Sequence, residues 1–246
     1  VPDYGIPLTS RGQRADGTRV PADVDRDNFY GLKARDFQKT RADSVTFLFS
    51  GDLGGGWVLS NTTRYSDSRN NYIVTNPDDS AGNVANGYVW RNTKSRNSHN
   101  QGMVSNFNLA GVFDTGSIGH SVAIGGELSA SDSNNRNYVV DTGNFRVGSG
   151  DDCATLGLQT YNCTTLDNPD PNDPWTGSIT RNPTPSRASA EDYSLYAFDT
   201  VTIVPQLLLN GGVRWTSYHI KGEGVSRGTP YSERNSGDFF TWQGGV

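Results

Sequence analysis

Segments of alternating polarity, unusually long for β-strands, run through most of this 246-residue chain. Val45, Phe47 and Phe49 occupy every second position of one run, so they share one face of an extended strand. The same alternation continues over residues 57–74 and 87–113, which far exceed the ~5–6 residues of a typical strand. The pattern predicts an all-β, antiparallel fold with about six or seven long strands.

The turns between these runs alternate in length. Short turns are predicted at 52–56, 114–116 and 205–206. Longer polar loops are predicted at about 1–39, 75–87, 141–190 and 222–237. A transmembrane β-barrel has this asymmetry, because its periplasmic turns are short and its extracellular loops are long. We therefore interpret residues 1–246 as part of a single β-barrel domain, an open curved sheet and not a closed barrel.

The second face of the alternating runs is polar. It carries the charged and amide side chains of Arg64, Asn106, Asn108, Glu127, Asn210 and Arg214. The core of a β-sandwich would not accept such groups unpaired, whereas the wet lumen of a barrel would. A soluble all-β protein with one solvated face has the same alternation, so alternation alone leaves that fold open.

Composition and charge argue against a nucleic-acid-binding protein and against a helical membrane protein. The net charge of −5 and the pI near 5.1 give no basic field, so no nucleic-acid partner is expected. No run approaches the ~18 apolar residues of a membrane-spanning helix. The chain starts at Val1 without an initiator methionine and stops at Val246 within an alternating run, so we expect a piece of a longer protein.

The two cysteines, Cys153 and Cys163, lie close together in a polar stretch. Such a pair suggests a short disulfide formed in an oxidising compartment. Two free thiols, or half of a metal site, are the alternatives. A zinc site needs more ligands, and the three histidines of the chain are scattered without ligand spacing, so no metal site is predicted.

Several short motifs resemble a known family. They are VPDYGIP at 1–7, NFYGL at 28–32, RDFQKT at 35–40, YSLYAFD at 193–199 and LNGGVRW at 209–215. Together, in this order, they resemble TonB-dependent siderophore receptors, most closely the catecholate branch. The resemblance covers most of the chain apart from the loops at 75–87 and 141–190.

The resemblance implies a bacterial outer-membrane receptor, not an enzyme, that contacts outer-membrane lipid and imports ferric siderophore. Complete receptors of the family hold an N-terminal plug inside a barrel of about 22 strands. We expect coupling to TonB through that N-terminal region, which the chain lacks. The alternatives are a passive outer-membrane porin and a soluble extracellular β-protein that binds glycans.

A ferric catecholate is anionic and carries flat aromatic rings, so its site needs cationic donors and aromatic faces. The predicted loops and strand ends supply these types at Tyr4, Arg11, Arg14, Phe29, Tyr30, Trp90, Arg91, Arg96, Arg136, Tyr138 and Trp175. Because the siderophore itself holds the iron, no protein cofactor or metal ligand is expected.

Overall fold

The computed structural model describes residues 23–78, 82–140, 153 and 162–246, and the backbone of two short strands before them. The strands are β1 (Leu8–Thr9), β2 (Val20–Pro21), β3 (Phe37–Gly54), β4 (Trp57–Asp78), β5 (Tyr88–Thr115), β6 (Ile118–Asn135), β7 (Tyr138–Val140), β8 (Cys163–Thr165), β9 (Ile179–Arg181), β10 (Ser186–Val204), β11 (Leu207–Ser226) and β12 (Thr229–Gly245). A single 3-10 turn is formed by Val84–Asn86 in this part of the chain. None of the described residues forms a helix long and apolar enough to span a membrane.

The seven long strands belong to one sheet, in the order β12-β11-β10-β6-β5-β4-β3, and β8 adds to β5. The pairs β5–β6, β6–β10, β10–β11, β11–β12 and β5–β8 are all antiparallel. This confirms the predicted all-β antiparallel fold with six or seven long strands. Over the described residues, the strand order has two ends, β3 and β12, so the sheet is open.

The register assigns every second residue of neighbouring strands to the same face. One rung consists of Leu109, Ile124, Ala197, Val213 and Trp242, which are successive register partners on five strands. Side chains of directly paired residues point to the same side of a sheet. We call this side the apolar face. Its large side chains remain exposed, with Val213 at 55% and Ile124 at 48%.

The opposite side, which we call the polar face, carries an ordered network. The Arg214 Nη2 atom lies 3.1 Å from Glu127 Oε1 and donates to Ser194 Oγ at 2.9 Å. The Tyr196 hydroxyl donates to Asn108 Oδ1 at 3.3 Å. A sheet with one exposed apolar side and one hydrogen-bonded polar side fits a barrel wall with lipid outside and water inside.

The register also shows which side chains of β10 lie on the apolar face and which lie on the polar face. The sequence had left this assignment ambiguous. Tyr193 and Leu195 share the apolar face, because their partners on β6 are Leu128 and Gly126. Tyr196 belongs to the polar face. Both faces of β10 carry aromatic residues, so hydrophobic alternation could not distinguish them.

The interpretation of 222–237 as a loop was wrong. β11 and β12 stay paired up to Ser226 and Thr229, and the connection between them is the two-residue turn Arg227–Gly228. Both turn residues have positive φ, 50° and 84°, as a type I′ hairpin requires. The glycine-rich and charged composition resembles a loop, but cross-strand backbone hydrogen bonds keep these residues extended.

Strands also extend into the other three predicted loops. β3 begins at Phe37, and β4 continues to Asp78. Within 141–190, β8 and β9 are short strands and β10 already begins at Ser186. Polar side chains do not end a strand where a neighbouring strand still supplies hydrogen-bond partners. The predicted short turns agree with the structure, which has two-residue turns at 55–56, 116–117 and 205–206.

Candidate functional site

Residues 1–40, 70–97 and 136–183, which include most of the predicted long loops, form a compact unit of their own. We call it the loop unit. Its described part has a small apolar core of Val84, Val89 and Leu166. The Tyr30 hydroxyl donates to the carbonyl of Leu166 at 2.7 Å. These contacts join segments far apart in the sequence, so the described loops are folded against one another.

A second cluster contains the cysteines. Cys153 and Cys163 form a disulfide with a Cα–Cα distance of 5.7 Å, and both side chains are buried with Trp90. Cys163 is the register partner of Trp90, because β8 pairs with β5. The backbone N–H of Cys153 donates to Asn83 Oδ1 at 2.8 Å. The disulfide therefore links residue 153, through β8, to the first residues of β5.

Removing this disulfide is expected to loosen the loop unit. In a Cys153→Ser/Cys163→Ser variant, the open 10-residue connection should cost about 3 kcal/mol of local stability by the chain-entropy relation. The measurement is proteolysis of the loops of the complete receptor, with and without reductant. Reductant should speed cleavage of the native protein and leave the variant unchanged. Equal cleavage of the native protein with and without reductant would contradict a stabilising role of this disulfide in the loop unit.

Arg91 lies at the centre of the loop unit, with a fully buried side chain. Its Nη1 atom lies 2.6 Å from Asp173 Oδ2, and its Nη2 donates to the carbonyl of Asp170 at 2.6 Å. Its Nε donates to the carbonyl of Tyr30 at 2.8 Å. Burial lowers the pKa of Arg91 from its ordinary value, while the hydrogen bond that Arg91 donates to the Asp173 carboxylate acts in the opposite direction. Arg91 thus connects three separate segments.

A second buried arginine anchors the start of β3. Arg35 Nε lies 2.8 Å from Asp36 Oδ1, and its Nη2 donates to Thr75 Oγ1 at 2.5 Å. Asp36 Oδ2 accepts from the backbone N–H and the hydroxyl of Thr75, at 3.0 and 2.6 Å. Sequence reasoning missed this network. The only sequence signal was the adjacent opposite charges of Arg35 and Asp36 just before a predicted strand. Their partner Thr75 lies about 40 residues further along the chain, so the sequence did not indicate it.

The predicted ligand residues fall into three groups. Tyr4, Arg11 and Arg14 lie outside the described residues. Phe29 and Arg96 are exposed, and Tyr30, Arg136, Tyr138 and Trp175 are partly buried. Trp90 and Arg91 are buried, at 3% and 0% exposure. These two were expected at a loop surface, and the structure instead places them in the packed interior, where they stabilise the loop unit.

Three of the predicted residues are neighbours in the loop unit. The backbone N–H of Arg136 donates to the carbonyl of Asn97 at 2.9 Å, so the backbone of Arg136 lies next to the segment that carries Arg96. The Tyr138 hydroxyl donates to Asn71 Oδ1 at 2.8 Å, and the Tyr138 ring packs edge-on against Phe37 at 6.1 Å. We call Arg96, Arg136 and Tyr138 the Tyr138 cluster. The cluster is defined by its adjacent backbone segments, and within it the Tyr138 ring is held in place by Asn71 and Phe37.

The contribution of Phe37 and Lys39 to this region was not predicted. Lys39 Nζ lies 6.0 Å from the centre of the Phe37 ring, within the range of a cation–π contact.

Burial raises the pKa of the Tyr30 hydroxyl, with a further increase from Asp167. A protonated Tyr30 keeps its hydrogen bond to Leu166, so Tyr30 acts first as a structural residue.

The long antiparallel strands, with one apolar and one polar face, define the wall of a transmembrane-type β-barrel. The family model "TonB dependent receptor-like, beta-barrel" matches residues 2–246, and the chain belongs to this family. Its homologues are receptors and not enzymes, and barrels of this family lie in the outer membrane.

The chain is similar over its whole length to several siderophore receptors. It is 34% identical to the probable TonB-dependent siderophore receptor PiuA of Acinetobacter baumannii and 27% identical to the catecholate siderophore receptor Fiu of Escherichia coli K12. These alignments cover 33% and 34% of the two relatives, so the chain spans about a third of their length.

Solved structures of the same two receptors resemble the fold. The crystal structure of PiuA matches 91% of this chain with a TM-score of 0.77 at 32% identity, over 32% of the PiuA chain. The closed form of the ferric-catecholate import receptor Fiu matches 90% with a TM-score of 0.70 at 26% identity, over 32% of its chain.

Proposed function

We propose that this chain is the part of a longer receptor that forms one section of the barrel wall and its ligand-binding loops. The receptor binds a ferric siderophore of the catecholate type at the cell surface and imports it, energised through TonB. The Tyr138 cluster carries the proposal for this chain, because two arginine-bearing segments and a fixed aromatic ring belong to the same folded loop unit.

The chemistry of the ligand agrees with this cluster. A ferric triscatecholate carries negative charge and flat rings, which guanidinium groups and aromatic faces recognise together. Phe29, with half of its surface exposed, and Trp175 add aromatic area in the loop unit. The siderophore supplies all iron ligands, so the protein contributes recognition and no covalent chemistry.

The core of the loop unit has a supporting role in this proposal. Arg91 and Trp90 do not contact ligand, because both side chains are buried. They fix the strand end that carries Arg96, which is five residues further along β5 than Arg91. TonB acts through an N-terminal region outside this chain. The porin and glycan-binding alternatives have no support among the relatives, which are siderophore receptors.

Removing both cations of the Tyr138 cluster is expected to weaken siderophore binding. Each lost charge-assisted hydrogen bond is worth about 1.5–3 kcal/mol, so Arg96→Ala/Arg136→Ala should lower affinity for a ferric triscatecholate by at least about 100-fold. Binding is measured by tryptophan fluorescence quenching on the complete receptor. Arg26→Ala, which removes an exposed cation of the loop unit outside the Tyr138 cluster, serves as the control and should bind as the native protein does. Equal binding by the double variant and the control would remove this cluster from the site.

A further inference from the structure

One carboxylate lies on the apolar face, close to the short turns. Asp199 is two residues from Ala197 along β10 and is the register partner of Val122, so it shares the face of the apolar rung. Ionisable side chains within a membrane span are costly and rare, and they mark functional sites where a partner holds them. The partner here is His120, whose Nδ1 atom lies 2.7 Å from Asp199 Oδ2. The other carboxylate oxygen is buried without a hydrogen-bond partner among the described residues.

His120 joins this carboxylate to a hydroxyl group. Its Nε2 atom lies 2.5 Å from Oγ1 of Thr115. The imidazole ring stacks on Phe113, its register partner, at a centroid distance of 4.7 Å. The side chain of His120 is 18% exposed, whereas Thr115 is exposed. The imidazole is therefore fixed between the Asp199 carboxylate and an accessible hydroxyl.

The order of these three groups is that of a nucleophilic triad. A carboxylate only accepts hydrogen bonds, so the Nδ1 atom of His120 carries the proton, and Nε2 of the neutral ring accepts from the Thr115 hydroxyl. In a triad, the carboxylate orients the imidazole, and the imidazole takes the hydroxyl proton when the oxygen attacks. Threonine is among the residues that such a base activates. Geometry and roles identify a triad, because its chain order varies between folds.

The turn beside Thr115 offers backbone donors for the reaction. Thr115 and Ile118 are register partners that close the two-residue turn of Gly116 and Ser117, and Gly116 has a positive φ of 68°. The N–H groups of these two turn residues donate no hydrogen bond within the described part of the chain. Free backbone N–H groups of this kind stabilise the oxyanion that forms when a hydroxyl attacks an ester carbonyl.

The depth of Thr115 in the membrane indicates the substrate. Tyr193, at the other edge of the apolar face, pairs with Leu128, which pairs with Ser105 on β5. The ten residues from Ser105 to Thr115 span about 33 Å of strand, or about 25 Å along the membrane normal at the usual tilt. The apolar band of an outer-membrane barrel is about 25 Å tall. Thr115 therefore lies at its periplasmic edge, where the acyl esters of phospholipids border the hydrocarbon.

We propose that Thr115, His120 and Asp199 hydrolyse acyl esters of phospholipids in the periplasmic leaflet. The Thr115 oxygen attacks the ester carbonyl carbon, and its proton passes to Nε2 of His120 and then to the leaving alcohol. Water next attacks the acyl-threonine. His120 accepts a proton from this water and returns it to the Thr115 oxygen as the fatty acid leaves. Asp199 orients the imidazole and stabilises its charged form. The proposal depends on the membrane location of the barrel and not on the siderophore.

The test measures fatty acid release from phosphatidylethanolamine vesicles that contain the complete receptor, purified from cells without outer-membrane phospholipases. The native protein should release fatty acid. Thr115→Val keeps the shape of the side chain without the hydroxyl, and its release should fall to that of protein-free vesicles. His120→Gln removes the general base and should lower the rate about 100- to 10,000-fold. Thr115→Ser should remain active, because it keeps the nucleophile.

Thr202→Val is the matched control. Thr202 lies at the same end of the sheet but on the polar face, because the adjacent Val201 is the register partner of His120. The control should hydrolyse lipid as the native protein does, and heat-modifiable mobility should show that all variants are folded. Siderophore binding should be native in Thr115→Val, so the two proposals stand or fall separately. Absence of release by the native receptor, or release that persists in Thr115→Val, would overturn the proposal.

Discussion

Arginine at Val213 is expected to prevent most of the protein from assembling in the membrane, whereas arginine three residues away is expected to be tolerated. Val213 lies in the middle of an apolar rung and is 55% exposed. Arginine on the lipid face near mid-bilayer costs about 2–4 kcal/mol. The measurement is the fraction of complete receptor that shows heat-modifiable mobility in outer-membrane preparations.

Asn210→Arg provides the control on the same strand. Asn210 belongs to the polar face, where its amide donates to Thr200 Oγ1 at 3.0 Å, and a longer cation there reaches water. Leu209→Arg should be intermediate, because Leu209 is on the apolar face but close to the short turn at 205–206, where the cost falls to about 0–1 kcal/mol. Poorer assembly of Asn210→Arg than of Val213→Arg would reverse the assignment of the two faces.

Arg91→Ala is expected to disorder the loop unit without affecting the barrel. The substitution leaves Asp173 without its cation and frees the carbonyls of Asp170 and Tyr30. Each hydrogen bond of the buried, charged guanidinium is worth about 1.5–3 kcal/mol, and all three are lost together. Protease applied to intact cells should therefore cleave the loops faster, while heat-modifiable mobility stays normal.

Arg96→Ala separates this structural effect from ligand binding. Arg96 is exposed, so its loss should leave protease cleavage at the native rate and still weaken siderophore binding. Arg91→Ala should weaken binding only together with faster cleavage. If Arg91→Ala lost binding while its loops stayed resistant to protease, Arg91 would have to contact the ligand, and the buried role assigned to it here would be incorrect.

Alternation along single strands was enough to predict the sheet and its two faces. Asn106 and Glu127 were assigned to the polar face from period-two spacing alone, and the register makes them partners. The assignment failed at 222–237, where glycines and charges resemble a loop although both strands continue. A strand beyond the membrane needs no apolar side, so hydrophobic alternation stops before the strand does.

The loop unit could not be predicted in the same way. Arg91 is buried only because Asp173 and the carbonyl of Asp170 meet it from about 80 residues away. Its neighbours in sequence give no sign of this partnership, so a buried structural arginine and an exposed ligand residue look alike.

We propose that this chain belongs to a receptor that moves ferric siderophore across the outer membrane by active transport. Uptake of radioactive iron as a ferric triscatecholate, by cells that make the complete receptor with and without TonB, tests this proposal. We expect saturable uptake that is lost without TonB, while binding to the cell surface remains. Uptake that continues without TonB and rises linearly with concentration would contradict it and indicate a passive channel.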